Sequence, residues 1–165
     1  MNYILDIDSL VAHMQEQLSS LQSMNKILDR QEEAVKDGDT ELVLQTVSQL
    51  KGELVERVRL EERRERFMAQ WAGELGCSPE EVTVSRISSL DPQRKEQLES
   101  LSQQLHQVAL QVQTKQEYCK VLMRSELKFV SHLVDALYPG HTSGAYTPGD
   151  NLPQVRPALS LDVRG

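Results

Sequence analysis

Apolar residues recur at helical spacing along most of the chain, and the last third carries the most regular pattern. The steps there alternate between three and four residues, which is typical of a coiled-coil seam. The seam consists of Leu98, Leu101, Leu105, Val108, Val112, Cys119, Leu122, Phe129, Leu133 and Ala136, interrupted by Lys115 and Glu126. No glycine or proline lies between Asp91-Pro92 and Pro139-Gly140, so the pattern predicts a single helix that continues to Leu137.

Two more long helices are predicted in the first half of the chain. The first begins at Asp6 or Asp8, either of which can accept hydrogen bonds from the first turn, and it ends at Lys36. Gly38 in Asp37-Gly38-Asp39 supplies a left-handed residue after that helix, and Asp39 caps the second helix, which runs from about Thr40 to Leu75. Gly76 ends the second helix in the same way.

A short helical insert is predicted between the second and last long helices. In Ser78-Pro79-Glu80-Glu81, a serine cap, a proline at the first position and a glutamate at the third form a capping box. This signal predicts a short helix to about Arg86. The pair Asp91-Pro92 then marks the start of the last helix.

These elements predict an all-α fold. A helix as long as the last one cannot bury its apolar stripe alone, and short connections favour antiparallel neighbours. The first helix offers Leu10, Met14, Leu18, Leu21, Met24, Leu28 and Val35, and the second offers Val43, Val47, Leu50, Leu54 and Val58, then Phe67, Trp71 and Leu75. We therefore expect an elongated antiparallel bundle of three long helices with a short insert over residues 1–138. Residues 139–165 are rich in Pro, Gly, Ser and Thr and are predicted to be a mobile C-terminal tail.

Composition and charge narrow the function classes. No apolar run among the 165 residues approaches the roughly 18 residues of a membrane-spanning helix, so we expect no membrane insertion. The first ten residues hold two aspartates and no basic residue, unlike a secretory signal or a transit peptide. The net charge of -7 makes nucleic acid a poor partner. Two cysteines are too few for a disulfide framework, which favours a reduced, cytosolic protein.

Residues with catalytic chemistry do not form a recognisable constellation. The four histidines lack metal-ligand spacing, and the chain has no Gly-rich phosphate loop and no nucleophile elbow. We therefore expect neither an enzyme nor a metal or other cofactor. The Arg/Glu stretch at residues 57–66 alternates in sign, which is typical of a solvated helix face. Because it interrupts the apolar stripe, the middle of the second helix packs through arginine stems or stands clear of the bundle.

The end of the last helix has more apolar residues than one seam can use. A second stripe lies beside the seam and consists of Leu127, Val130, Val134, Leu137 and Tyr138. Either this end is wedged between two other helices, or it is an open surface that receives an amphipathic helix of another protein. The tail poses a similar choice, since Tyr146 and the apolar residues after it are either unstructured or a short segment that becomes ordered on a partner.

The order and lengths of these elements resemble the FlgN family, the bacterial flagellar export chaperones for hook–filament junction proteins. The resemblance covers roughly residues 8–149. It is carried by Glu32-Glu33-Ala34-Val35-Lys36-Asp37-Gly38-Asp39 with Leu50-Lys51, by the helix from Tyr118 to Leu137, and by Tyr146 to Gly149.

The resemblance implies a cytosolic, non-enzymatic chaperone. Such chaperones bind the C-terminal helical segments of FlgK and FlgL and deliver them to the export gate protein FlhA. Carried onto this chain, the client surface is the second apolar stripe, and the gate contact involves Tyr146. A rival interpretation from the residues alone is a structural protein in which the seam from Leu98 to Ala136 zips two copies into a homodimeric coiled coil without a client.

Overall fold

The computed structural model of the protein describes residues 6–137, which form helices and no strand. Helix α1 spans Ile7–Asp37 and α2 spans Thr40–Leu75. A 3-10 turn at Pro79–Glu81 and the short α3, Val84–Leu90, connect α2 to α4, Lys95–Leu137. The predicted all-α class, with three long helices and a short helical insert, is confirmed. The predicted tail, residues 139–165, lies outside the described residues.

The turn between α1 and α2 forms as the sequence predicts. Gly38 has a φ of 70°, in the left-handed region where glycine meets no steric penalty. The N–H of Asp39 donates to the carbonyl of Ala34 at 2.9 Å, which closes the end of α1. The Asp39 carboxylate then accepts from the N–H of Leu42 at 3.0 Å, so one residue ends the turn and caps α2.

The insert differs from the prediction in one respect. The capping box forms, since the Ser78 N–H donates to the Glu81 carboxylate at 2.8 Å. However, the short helix does not continue from it to Arg86. Val82 and Thr83 are extended, and α3 begins only at Val84, where the Thr83 hydroxyl accepts from the N–H of Arg86. Alternate residues of an extended segment point the same way, so both Val82 and Val84 reach the core, each 1% exposed.

The three long helices run up, down and up, with α1 packed against both others. Helices α1 and α2 are antiparallel; their cross-helix side-chain pairs are Glu16 with Arg63, Ser23 with Glu53 and Gln31 with Thr46. Helices α1 and α4 are parallel; their pairs are Asn25 with Gln111, Asp29 with Lys115 and, at the residue just before α4, Asp8 with Arg94. Each α1–α4 pair is separated by 86 positions, so the two helices keep one register. No Cα atoms of α2 and α4 approach within 8 Å.

One apolar core joins all these elements. Its most buried members are Leu10, Met14, Leu21, Met24 and Leu28 of α1, Trp71 of α2, Val82, Val84 and Ile87 of the insert, and Leu98, Leu105, Val112 and Cys119 of α4. The seam of α4 up to Cys119 is therefore covered within a single chain, which weighs against a zipper of two such seams. Val58 was predicted to be core but is 59% exposed, because it lies about 200° around α2 from Leu60, which faces the core.

The register also determines where α4 loses its partner. Helix α1 ends at Asp37, and the position 86 residues later is Met123, which is half-buried. Every residue of α4 beyond it, from 124 to 137, is exposed. We call residues 124–137 the projecting segment; at 1.5 Å per residue it extends about 21 Å past the end of α1.

Candidate functional site

The projecting segment has one apolar and one polar face. At 100° per residue, the apolar face is formed by Leu127, Phe129, Val130, Leu133, Val134 and Leu137, and the exposed Glu126 is the one charged residue on the same side, at the base of the face. The opposite face is formed by Arg124, Ser125, Lys128, Ser131, His132 and Asp135. Cys119, Met123 and Leu127 follow one another at four-residue spacing and lie on one side of α4. The stripe that packs on α1 therefore continues where α1 has ended.

Four of the predicted client-binding residues come together on this face. Leu127 is 49% exposed, Val130 53%, Val134 38% and Leu137 70%, so within residues 6–137 no pair of helices covers this end. Phe129, assigned from the sequence to the seam, shares the face and is 60% exposed. The other two predicted residues, Tyr138 and Tyr146, lie outside the described residues.

Six large apolar side chains lie exposed side by side on this face. Monomeric proteins rarely expose contiguous apolar patches larger than a few hundred Å², and patches above that size mark interaction sites. A separate helix of this length would be only marginally stable in water, but this segment extends a helix that the core has already nucleated. The bundle can therefore present the apolar face to a partner.

The base of the projecting segment is attached to the last turns of α1. The Lys115 ammonium, which interrupts the predicted seam, lies 2.5 Å from the Asp29 carboxylate. The Cys119 thiol donates to the carbonyl of Leu28 at 3.7 Å. The Lys36 ammonium lies 5.7 Å from the centroid of the Tyr118 ring, within the range of a cation–π contact. These contacts hold α4 in position just before the segment leaves α1.

Cys119 has no nucleophilic character in this setting. Burial raises the pKa of its thiol to about 11, and the nearby Glu32 and Asp29 carboxylates add to the effect. The thiol therefore stays protonated at neutral pH, and a protonated thiol is a poor nucleophile.

Sequence reasoning missed His13, the most buried of the described histidines. It is 1% exposed, and its ring lies 5.5 Å from that of Phe67. Neither ring nitrogen has a hydrogen-bond partner, and burial, followed by the charge of Arg63, lowers its pKa to about 4. Its position three residues after Leu10 on the apolar stripe was the available signal. His106 and His132 are exposed, as predicted.

The arginine-rich part of α2 fits neither predicted arrangement throughout, because Arg57 and Arg64 are withdrawn from solvent whereas Arg59, Arg63 and Arg66 are exposed. Arg57 is 7% exposed, and burial lowers the pKa of its guanidinium. Arg64 pairs with Glu61 and also donates to the Met68 sulfur. Within residues 6–137, no group of His, Cys, Asp and Glu side chains could hold a metal ion, and no helix could cross a membrane.

Comparison with known proteins gives one match. The family model described as FlgN protein matches residues 1–154, which include every described residue. No curated protein and no solved structure matches the chain. The projecting apolar face suits a protein that binds other proteins, and FlgN proteins form a chaperone family rather than an enzyme class. Since the match spans most of its length, the chain belongs to the FlgN family of flagellar export chaperones.

Proposed function

We propose that this chaperone binds the C-terminal helical segments of the hook-associated proteins FlgK and FlgL on the apolar face of the projecting segment. The observation that carries the proposal is the continuation of the α1-facing stripe beyond the end of α1, with its side chains exposed. An amphipathic client helix would occupy the position that α1 occupies lower in the bundle.

The expected affinity is modest. Fully burying a Leu, Val or Phe side chain stabilises a complex by about 1.5–3 kcal/mol, and the six side chains of the face are roughly half exposed, so each can gain about 1 kcal/mol. The apolar side chains of the client helix start fully exposed, so each of them gains about 1.5–3 kcal/mol as well. Ordering a disordered client costs about 2–5 kcal/mol, and association itself costs several more. Such a complex can dissociate when the client is handed to another surface, so we propose that neither nucleotide nor metal is needed.

The remaining parts of the proposal concern place, delivery and domain organisation. We propose that the protein acts in the cytoplasm as a chaperone without enzymatic activity, and that it delivers its clients to the export gate protein FlhA. In this proposal Tyr138 extends the client surface, and Tyr146 contacts the gate. Residues 1–138 form the chaperone domain, and residues 139–165 form a tail that folding does not require.

Hydrogen exchange of the full chain with and without a client peptide tests the client surface. The peptide is the C-terminal helical segment of FlgK, and a peptide of scrambled sequence is the control. We expect residues 124–137 to gain protection with the FlgK peptide and not with the scrambled peptide, because this part of α4 extends past the end of α1 and is exposed. Protection confined to α1 or α2 would place the client elsewhere and overturn the proposal.

A further inference from the structure

A second exposed stripe runs along α2, on the side opposite α1. Its eight members are all exposed: Leu44, Ser48, Lys51, Val55, Val58, Glu62, Glu65 and Ala69. Thr46 is one of the α2 residues that pack on α1, and Val55 lies about 180° around the helix from it. Val55 is 65% exposed. Leu44 is 65% exposed as well. We call these eight residues the outer stripe of α2; neither the core nor the projecting segment uses them.

The charges of the outer stripe flank its two valines. Lys51 precedes Val55 and Glu62 follows Val58, each by four residues. Lys51 and Glu62 are eleven residues apart on one helix, about 16 Å, so they cannot pair with each other. Within the described residues, neither side chain has a hydrogen-bond or ion-pair partner. Both charges are therefore available to a second molecule.

The stripe is complementary to its own antiparallel copy. With a two-fold axis midway between Val55 and Val58, four kinds of contact each occur twice: Val55 with Val58, Lys51 with Glu62, Ser48 with Glu65, and Leu44 with Ala69. If one copy slides along the other by seven residues in one direction, Lys51 meets Val55 of the other copy. If it slides by seven residues in the opposite direction, Glu62 meets Val58, so in both cases a charge faces a valine. A parallel arrangement places Lys51 against its own copy. Only the first arrangement matches apolar with apolar and cation with anion.

We propose that two copies of this chain associate through the outer stripe of α2 as an antiparallel, two-fold symmetric dimer. A two-fold interface uses the same patch on both partners, which is what a self-complementary stripe provides. The contact from Leu44 to Ala69 is about 38 Å long but only one helix wide. Each copy already has a complete core, so the dimer forms and dissociates with concentration. The two projecting segments then point in opposite directions and stay accessible, and the proposal does not depend on what they bind.

Sedimentation equilibrium of the full chain over a concentration series tests this dimer by charge reversal. Lys51→Glu and Glu62→Lys each replace two attractive contacts with two repulsive ones, and we expect each to weaken self-association roughly tenfold. An equimolar mixture of the two variants restores both attractive contacts, so it should dimerise like the parent protein. Lys26→Glu makes the same charge change on the exposed side of α1 and should have no effect.

The mixing result separates the proposed contact from a general effect of charge. Weakening by both reversals, together with restoration in the mixture, supports the dimer. A general effect of net charge would instead weaken self-association in Lys51→Glu and strengthen it in Glu62→Lys, because the chain is already negative. A parent protein that stays monomeric at every concentration overturns the proposal. So does self-association that survives both charge reversals but is lost in Val130→Asp, since that result would place the contact on the projecting segment.

Discussion

A pair of leucine-to-alanine substitutions on α4 distinguishes core from open surface by stability alone. Leu105 is 4% exposed and belongs to the core between α1 and α4, whereas Leu133 is 45% exposed on the projecting segment. The same atoms are removed from the same helix in both variants. Any difference in the free energy of unfolding therefore reports the surroundings of the two side chains.

The expected difference is large. Removing a buried leucine side chain costs the lost burial and leaves a cavity, together about 3 kcal/mol, so Leu105→Ala should lower the stability by that amount. Leu133→Ala leaves no cavity, because water already reaches the side chain. It should cost less than about 1 kcal/mol, since alanine is also the better helix former.

Urea unfolding followed by circular dichroism measures both values. With a slope of about 2 kcal/mol per molar urea, Leu105→Ala should lower the unfolding midpoint by about 1.5 M, and Leu133→Ala by less than about 0.5 M. Equal shifts for the two variants would refute the reasoning, because they would mean that the projecting segment is packed in solution as tightly as the core.

Three further predictions concern the bundle and its tail. The pKa of His13 is about 4 in the folded protein and near 6.5 in the unfolded chain, so the free energy of unfolding should fall as the pH drops from about 6.5 to about 4. In His13→Leu the urea midpoint should depend less on pH over that range, and an unchanged pH dependence would contradict the role given to His13. Gly38→Ala should lower the melting temperature because Gly38 is left-handed, whereas Gly73→Ala, in open space within α2, should raise it; the reverse order would contradict the role of the turn. Deletion of residues 139–165 should leave the urea midpoint unchanged, and a large loss would show that folding requires them.

The local signals in the sequence predict the elements well because they act over a few residues. Asp37-Gly38-Asp39 combines a left-handed glycine with a cap, and the structure forms both. The extended residues before α3 could not be predicted in this way. They are set by the core, which draws both Val82 and Val84 inward.

The candidate site depends on a long-range quantity that periodicity does not contain. The seam of α4 has the same spacing before and after Met123, so the sequence left open whether its end is covered. The register between α1 and α4, set by pairs such as Asp29 with Lys115, determines that α1 ends first. The same limit applies to Val58, whose exposure depends on which side of α2 meets α1.

The central claim is that the apolar face of the projecting segment binds the client, and two neighbouring aspartate substitutions test it most directly. Val130→Asp places a carboxylate on the apolar face, and Ser131→Asp places the same charge on the polar face one residue away. Both positions are exposed, so both variants should unfold at the urea concentration of the parent protein.

The measurement is the affinity of each variant for a fluorescent FlgK C-terminal peptide, read as anisotropy. Desolvating an unpaired carboxylate in the complex costs several kcal/mol, so Val130→Asp should weaken binding by about 100-fold or more, while Ser131→Asp stays within about threefold of the parent. Parent-like affinity of Val130→Asp, or an equal loss in both variants, would contradict the account.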